Sequence, residues 1–136
     1  MAKLRHLALA TDDPDATAQF YVDAFDFTRT GVVNAPWGRG HVLTDGTISL
    51  SILHYALDAA AGVEKGASFT GLHHIGFEVD DVETTADLVE AAGGLARHDI
   101  SDALGIPRGA LIKEYEGPDG VVFDLGGPDV WKLTPR

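Results

Sequence analysis

Three side chains that lie far apart in the sequence have the types that bind a divalent metal. His6, His74 and Asp124 supply two imidazoles and one carboxylate. This ligand set leaves open coordination positions for water, a substrate or oxygen. The chain contains no cysteine, so thiolate ligands, disulfides and cysteine nucleophiles are excluded. Histidine and carboxylate chemistry therefore carries the functional prediction.

The two histidines occupy equivalent places in an internal repeat. LRHLALATDDPDATAQFYVDAF, which begins at Leu4, matches LHHIGFEVDDVETTADLVEAAG, which begins at Leu72. The offset of 68 residues is half of the 136-residue chain. Each copy predicts a strand followed by a helix, with Asp13 or Asp81 as the N-cap of that helix.

Three further strand segments follow each predicted helix. They are 27–33, 39–44 and 47–53 in the first half, and 95–99, 110–116 and 121–125 in the second half. We therefore predict an α+β fold of two βαβββ modules with sheets curled around a cup. The modules form a single domain over residues 1–136, with module one at 1–54, a connector at 55–71 and module two at 72–136.

Strand alternation determines which face of the sheet each histidine occupies. Neighbouring side chains of a strand point to opposite faces. In residues 74–79 the apolar side chains face the helix, so His74 faces away from it, while His73 is predicted to be a surface or edge residue. The same alternation in residues 6–10 makes His6 face away from the first helix.

The last predicted strand places a carboxylate on the same face as the histidines. Alternation within 121–125 makes Asp124 face away from the helix, and Ser51 occupies the equivalent position in module one. Taken singly, each of these polar residues also fits an ordinary core or surface role. Their joint placement on one face favours a metal-binding cup.

The same equivalence suggests two residues for proton transfer. Glu114 lies ten residues before Asp124, and His41 lies ten residues before Ser51. If both hairpins are regular, these two side chains flank the metal from opposite modules and are the candidate catalytic residues. The alternatives are a solvated charge for Glu114 and a strand-edge residue for His41.

The composition limits the partners of the protein. A formal net charge of -11 opposes binding to nucleic acid or to an anionic membrane surface. No segment approaches the roughly 20 apolar residues that span a bilayer, and the N-terminal segment has no clear cleavage site. We expect a cytoplasmic protein whose partner is a small molecule.

The quoted repeats, together with GPDGVVFDLGG at residues 117–127, resemble the vicinal oxygen chelate superfamily. This group includes glyoxalase I, methylmalonyl-CoA epimerase, extradiol dioxygenases and bleomycin-resistance proteins. The resemblance implies that His6, His74 and Asp124 hold a divalent metal ion such as Fe, Mn, Co, Ni or Zn. The chain departs from the family in having Asp124 where Glu is usual, and Ser51 where glyoxalase I has a carboxylate base, which argues against methylglyoxal detoxification by the usual route.

Three functions follow from the resemblance. The first is a glyoxalase- or epimerase-type isomerase or lyase that acts on a small substrate with adjacent oxygens through a metal-stabilised enolate. The second is an Fe(II) extradiol dioxygenase, although these enzymes typically have a tyrosine near the Glu114 position and Tyr115 is displaced from it by one residue. The third is a non-enzymatic, drug-binding resistance-type protein, in which Trp37, Phe69 or Trp131 stacks on a ring. Related small members and exposed sheet edges predict a homodimer.

Overall fold

The computed structural model describes residues 1–134 and contains one eight-stranded mixed sheet. The strands are β1 (Lys3–Ala10), β2 (Thr28–Ala35), β3 (Gly38–Thr44), β4 (Ser49–Tyr55), β5 (Gly71–Glu78), β6 (Leu95–Ala96), β7 (Ile112–Glu116) and β8 (Val122–Gly126). The helices are α1 (Pro14–Phe25), α2 (Asp58–Ala61), α3 (Val82–Ala91) and α4 (His98–Ala103), and a 3-10 turn covers Pro118–Gly120.

The sheet confirms the predicted α+β arrangement of two modules. Its strand order is β2-β3-β4-β1-β5-β8-β7-β6, so each module contributes four neighbouring strands. Strand β1 pairs in parallel with β4, and β5 pairs in parallel with β8. The modules meet at the centre, where β1 and β5 run antiparallel. We call this β1–β5 pair the seam.

The long helices begin where the sequence predicts. The carboxylate of Asp13 accepts a hydrogen bond from the Ala16 amide at 3.0 Å, and that of Asp81 accepts one from the Thr84 amide at 3.0 Å. These bonds satisfy donors that the first turn of a helix leaves free. Helices α1 and α3 therefore start at the same point of the two repeats and cover the same face of the sheet.

Apolar side chains of alternating strand positions pack under these helices. Under α1 the buried residues are Ala18, Leu43, Leu50 and Ile52. Under α3 they are Val79, Val82, Ala86, Tyr115 and Leu125. A third cluster lies elsewhere, between the β1 and β4 strands and the short helix α2, and Leu104 at the end of α4 packs against it.

The strand predicted at 95–99 is wrong beyond its first two residues. Strand β6 ends at Ala96, and helix α4 follows directly. Ile100 and Leu104 lie one helical turn apart; Ile100 is buried and Leu104 packs on the third cluster, so a helix buries both on one side. The short helix α2, within the predicted connector, was also not foreseen. Within residues 1–134, no helix is long and apolar enough to cross a membrane.

Candidate metal centre

The structure brings His6, His74 and Asp124 together at the seam. His6 lies on β1 opposite Gly76, and His74 lies on β5 opposite Ala8. Asp124 lies on β8, beside Gly76 in the parallel pair. The three side chains thus come from three adjacent strands of one chain and share the face that the long helices do not cover.

The separations of the three candidate ligand atoms fit a single ion. His6 Nε2 lies 3.2 Å from His74 Nε2, and Asp124 Oδ2 lies 3.5 Å from His6 Nε2 and 3.2 Å from His74 Nε2. Two ligands at about 2.1 Å from one ion in tetrahedral or octahedral geometry are about 3.0–3.4 Å apart. The donor set therefore fits a divalent ion that keeps open positions.

Burial keeps the two histidines in the neutral form, which binds a metal through a ring nitrogen. His6, His74 and Asp124 are all buried. Burial, and then charge on His74, lower the pKa of His6 to about 3, and burial also lowers the pKa of His74. Both rings are therefore neutral at pH 7 and retain a lone pair for a metal. Burial raises the pKa of Asp124 to about 6, so a cation bound beside it would stabilise its ionised form.

Glu114 reaches the same cup, as its position in the repeat predicts. It lies on β7 directly opposite Asp124 in the β7–β8 pair, and only 5% of its surface is exposed. Glu114 Oε2 and Asp124 Oδ1 receive no hydrogen bond from another group of the described residues, so these two carboxyls have only each other as hydrogen-bond partners there. Burial, and then the nearby charge of Asp124, raise the pKa of Glu114 well above its usual range. A buried carboxyl with a raised pKa is available for proton transfer.

The predicted placement of His41 beside the metal is wrong. His41 lies opposite Ile52 on β4, on the helix-covered face, and its Nε2 lies 2.6 Å from Asp15 Oδ1 on α1. The residue opposite Ser51 is Val42. The β3–β4 hairpin is therefore one residue shorter than the β7–β8 hairpin, and counting the same number of residues back from Ser51 reaches the wrong face.

The prediction that His73 lies at the surface or edge is also wrong. Its side chain is buried, and its Nδ1 lies 2.7 Å from His74 Nδ1. The seam is irregular at this point, because Ala8 pairs with His74 while Leu9 pairs with Leu72, so His73 is the extra residue of a β-bulge. A bulge interrupts strict alternation and can re-aim a side chain. Arg5 is the extra residue of the equivalent bulge in module one.

A cavity of about 220 Å³ opens above the triad. Its walls beyond the polar groups are Val33, Trp37, Leu53, Tyr55, Leu104, Ile106, Ile112 and Trp131. Trp131 stacks on the His6 ring, with ring centroids 5.0 Å apart and planes inclined by 10°. The sequence contains no periodic signal for these wall residues, because most of them lie at strand ends or in connecting segments.

Comparisons with known proteins agree with this architecture. A family model described as "Glyoxalase/Bleomycin resistance protein/Dioxygenase superfamily" matches residues 3–125. A protein named probable lactoylglutathione lyase, chloroplastic, from Arabidopsis thaliana is 28% identical over 131 residues, which cover 90% of this chain and 35% of that protein. The chain thus spans about a third of the length of this curated relative.

Solved structures with the same fold include methylmalonyl-CoA epimerases. One, in complex with methylmalonyl-CoA and NH4+, has a TM-score of 0.72 and 24% identity, with 97% of this chain and 98% of that chain covered. A variant of the Streptomyces coelicolor enzyme, in complex with 2-nitronate-propionyl-CoA, has a TM-score of 0.70 and 25% identity, with 98% of each chain covered.

Proposed function

Since the chain belongs to the Glyoxalase/Bleomycin resistance protein/Dioxygenase superfamily, we propose that it is a divalent-metal-dependent isomerase, epimerase or lyase. Its substrate is a small molecule with two adjacent oxygens. The observation that carries this proposal is the buried triad of His6, His74 and Asp124, with the buried carboxyl of Glu114 beside Asp124 in the same cup.

The residues of the cup divide the chemistry between binding and proton transfer. An ion held by the triad would polarise the two substrate oxygens and so acidify the neighbouring C–H group. Glu114 is the group placed to accept that proton and to return it on the same or a neighbouring carbon. Its raised pKa makes the ionised carboxylate a stronger base than an exposed glutamate.

The walls of the cup favour a substrate with an apolar substituent. Aliphatic side chains of both modules, including Leu53, Leu104 and Ile112, line the space beside the triad. Such walls exclude water and add binding energy from apolar contact. The chelating oxygens are expected to point to the triad and the apolar group to point to these walls.

The tyrosine positions favour proton transfer over cleavage of a catechol ring. Tyr115 lies on the helix-covered face, where its hydroxyl donates to Glu90 on α3 at 3.3 Å. Tyr55 does line the cup, but its hydroxyl lies 3.4 Å from His73 Nδ1. The side chain that β7 directs into the cup is therefore the carboxyl of Glu114 and not a tyrosine hydroxyl.

Metal analysis tests the first part of the proposal. Protein purified without chelators is expected to hold one divalent ion per chain, and His74→Ala is expected to lose it. His98→Ala removes an exposed histidine of α4 and serves as the matched control, which should keep the ion. The proposal would be contradicted if the wild type bound none of the candidate ions when each was added. Equal metal contents in all three proteins would contradict it as well.

Hydrogen exchange tests the second part. Lactoylglutathione and methylmalonyl-CoA are the first compounds to incubate with the enzyme in deuterated water, because relatives are named for them. Small 2-hydroxyketones with apolar substituents follow, because of the apolar walls. Metal-dependent deuterium uptake next to the oxygens supports the proposal, and oxygen consumption with catechols in place of exchange would support a dioxygenase.

The assembly state and the compartment stay predictions from the sequence. All three candidate ligands come from one chain, so a homodimer is not needed to complete the triad. Analytical ultracentrifugation of the metal-loaded protein would test the homodimer directly.

A further inference from the structure

We propose that His73 is a positioning residue that selects the tautomer of His74 and thereby prepares His74 Nε2 to bind a metal. This inference goes beyond the proposed function, because it concerns a residue outside the triad. It depends on His74 being a metal ligand, but the tautomer itself can be measured without any metal.

The first step is the contact between His73 and the backbone of α2. His73 Nε2 lies 2.8 Å from the carbonyl oxygen of Ala61. A carbonyl oxygen only accepts hydrogen bonds, so His73 Nε2 must carry a hydrogen and donate it. The ring is buried against the rings of Tyr55 and Phe69, with centroids 4.7 Å and 5.9 Å away, and its hydrogen-bond contacts among the described residues include no carboxylate that would pair with a charged ring.

The second step is the contact between the two histidines. A neutral ring with a hydrogen on Nε2 has a bare Nδ1, which accepts a hydrogen bond. His73 Nδ1 lies 2.7 Å from His74 Nδ1, and this distance requires one hydrogen between the two nitrogens. The Tyr55 hydroxyl also approaches His73 Nδ1, but at 3.4 Å it is too distant to account for the short contact between the two rings. The hydrogen therefore belongs to His74 Nδ1.

The third step is the consequence for the candidate metal centre. With its hydrogen on Nδ1, the neutral His74 ring has a bare Nε2, and this is the atom that lies 3.2 Å from both His6 Nε2 and Asp124 Oδ2. The carbonyl of Ala61 thus fixes, through two rings, which nitrogen of His74 is free. Partners of this kind set the orientation and basicity of histidine ligands.

The bulge in the seam makes this arrangement possible. On a regular strand, neighbouring side chains point to opposite faces and two adjacent imidazoles do not meet. At the bulge His73 is the unpaired residue, and its ring lies beside that of His74. The equivalent residue of module one is Arg5, whose guanidinium donates to the Thr47 carbonyl oxygen, so the histidine of module one has no such support from its neighbour.

Nitrogen-15 NMR of the metal-free wild-type protein tests the inference directly. His74 is expected to show the chemical shifts of the Nδ1–H tautomer, with a bare Nε2. In His73→Phe, which keeps a ring at this site but removes both nitrogens, we expect a mixture of tautomers and a loss of about 10–100-fold in Co²⁺ affinity. His73→Asn retains an acceptor near the former Nδ1 and is expected to recover most of the affinity.

Phe69→Leu is the matched control, because it changes the packing against the His73 ring without touching a hydrogen bond. It should leave the His74 tautomer and Co²⁺ affinity as in wild type. The inference is overturned if His74 in wild type has its hydrogen on Nε2, or if His73→Phe keeps both the tautomer and the affinity. If His73→Phe does not fold, the wild-type spectrum and His73→Asn still decide. If the tautomer is as expected but the wild type binds no Co²⁺, the proposed function fails while the hydrogen-bond assignment stands.

Discussion

The two modules offer the same strands to the cup but different chemistry. Module two supplies the two carboxylates, Asp124 and Glu114, from paired positions of β8 and β7. Module one has Ser51 and Val42 at the equivalent paired positions of β4 and β3. Each module contributes one histidine of the triad. The imidazoles therefore come from both modules, whereas the acidic groups come from module two alone.

This difference shows how a duplicated fold can divide a site. Buried carboxylates raise each other's pKa and are costly to bury together, so acidic groups in both modules would crowd four like charges into one cup. Module one contributes only apolar walls beside its histidine and serine, such as Val33, Leu53 and Trp37, while module two adds both walls and carboxyls. The acidic groups therefore come from one half, whereas both halves form the apolar surface for the substrate.

Removal of the carboxyl of Glu114 is the strongest way to test this division. In Glu114→Gln the metal content should stay at the wild-type level, while metal-dependent proton exchange should fall by about 10²–10⁴-fold, as is typical for loss of a general base. Deuterium uptake followed by NMR measures the exchange. His41→Gln is the control, because His41 contacts Asp15 on the other face of the sheet. Equal losses in both variants would contradict the assignment.

Exchange of the carboxylate ligand compares equivalent positions of the two modules. Asp124→Asn should weaken Co²⁺ binding by at least about 100-fold, which is the upper end for loss of an outer partner of a metal site. Ser51→Ala removes the hydroxyl at the equivalent position of module one and should leave the Co²⁺ affinity close to that of wild type. Titration followed by calorimetry or by tryptophan fluorescence gives both dissociation constants, since Trp37 and Trp131 both line the cup. Similar affinities for both variants would mean that Asp124 is no ligand.

A methyl group at the seam probes how closely the modules approach each other. A Cβ atom at Gly76 would lie 2.9 Å from His6 Cβ and 3.0 Å from Trp131 Cζ2, whereas the equivalent residue of module one is already Ala8. We expect Gly76→Ala to lower the free energy of unfolding by about 1–3 kcal/mol, as overpacking does. Urea denaturation of the metal-free protein measures this loss.

Gly31→Ala on β2 is the matched control for crowding. A Cβ atom there would meet only Val42 Cβ, at 4.0 Å. The control should unfold at nearly the wild-type urea concentration. If the urea midpoint of Gly76→Ala were unchanged as well, the seam would accommodate the extra methyl group without loss of stability, contrary to the expectation.

The smallest expected effect concerns the turn between β3 and β4, which sets the length of the β3–β4 hairpin. The Asp45 carboxylate accepts hydrogen bonds from the Thr47 and Ile48 amides at 2.8 Å and 2.9 Å. These bonds lower the pKa of Asp45. Asp45→Ala should reduce the free energy of unfolding by about 1 kcal/mol. Since the folded-state pKa lies below the unfolded value, the contribution is present above the unfolded pKa and is lost as the pH falls through the folded pKa.

Thermal unfolding at neutral and acidic pH measures this effect. The difference between wild type and Asp45→Ala should narrow as the pH falls. Asp119→Asn, in the turn of the β7–β8 hairpin, is the control for loss of a turn carboxylate. Asp119 has a φ of 62°, which asparagine also tolerates. A difference that grows at acidic pH would mean that the Asp45 carboxylate does not carry the stabilisation.

Alternation along strands predicts much of this site, because it depends only on local geometry. It places His6, His74 and Asp124 on the uncovered face, and counting ten residues back from Asp124 across the hairpin adds Glu114. The N-caps Asp13 and Asp81 are likewise local signals, and both form the expected hydrogen bonds.

The failures come from features that depend on pairing between distant segments. The bulge at His73 exists because β5 pairs with β1, and the misplacement of His41 comes from a hairpin that is one residue shorter than its counterpart. The predicted strand 95–99 runs two residues into helix α4, because the packing of Leu104 on the third cluster cannot be seen in the local sequence. The sequence records none of these partners locally.

The seam gives a metal ion a second consequence that is purely mechanical. His6 and His74 stand on neighbouring strands but belong to opposite halves of a chain that contains no cysteine. An ion held between them would act as a reversible staple across the middle of the molecule, much as a disulfide closes a loop. Added metal should therefore raise the melting temperature with the logarithm of its free concentration, even for a variant that no longer catalyses anything.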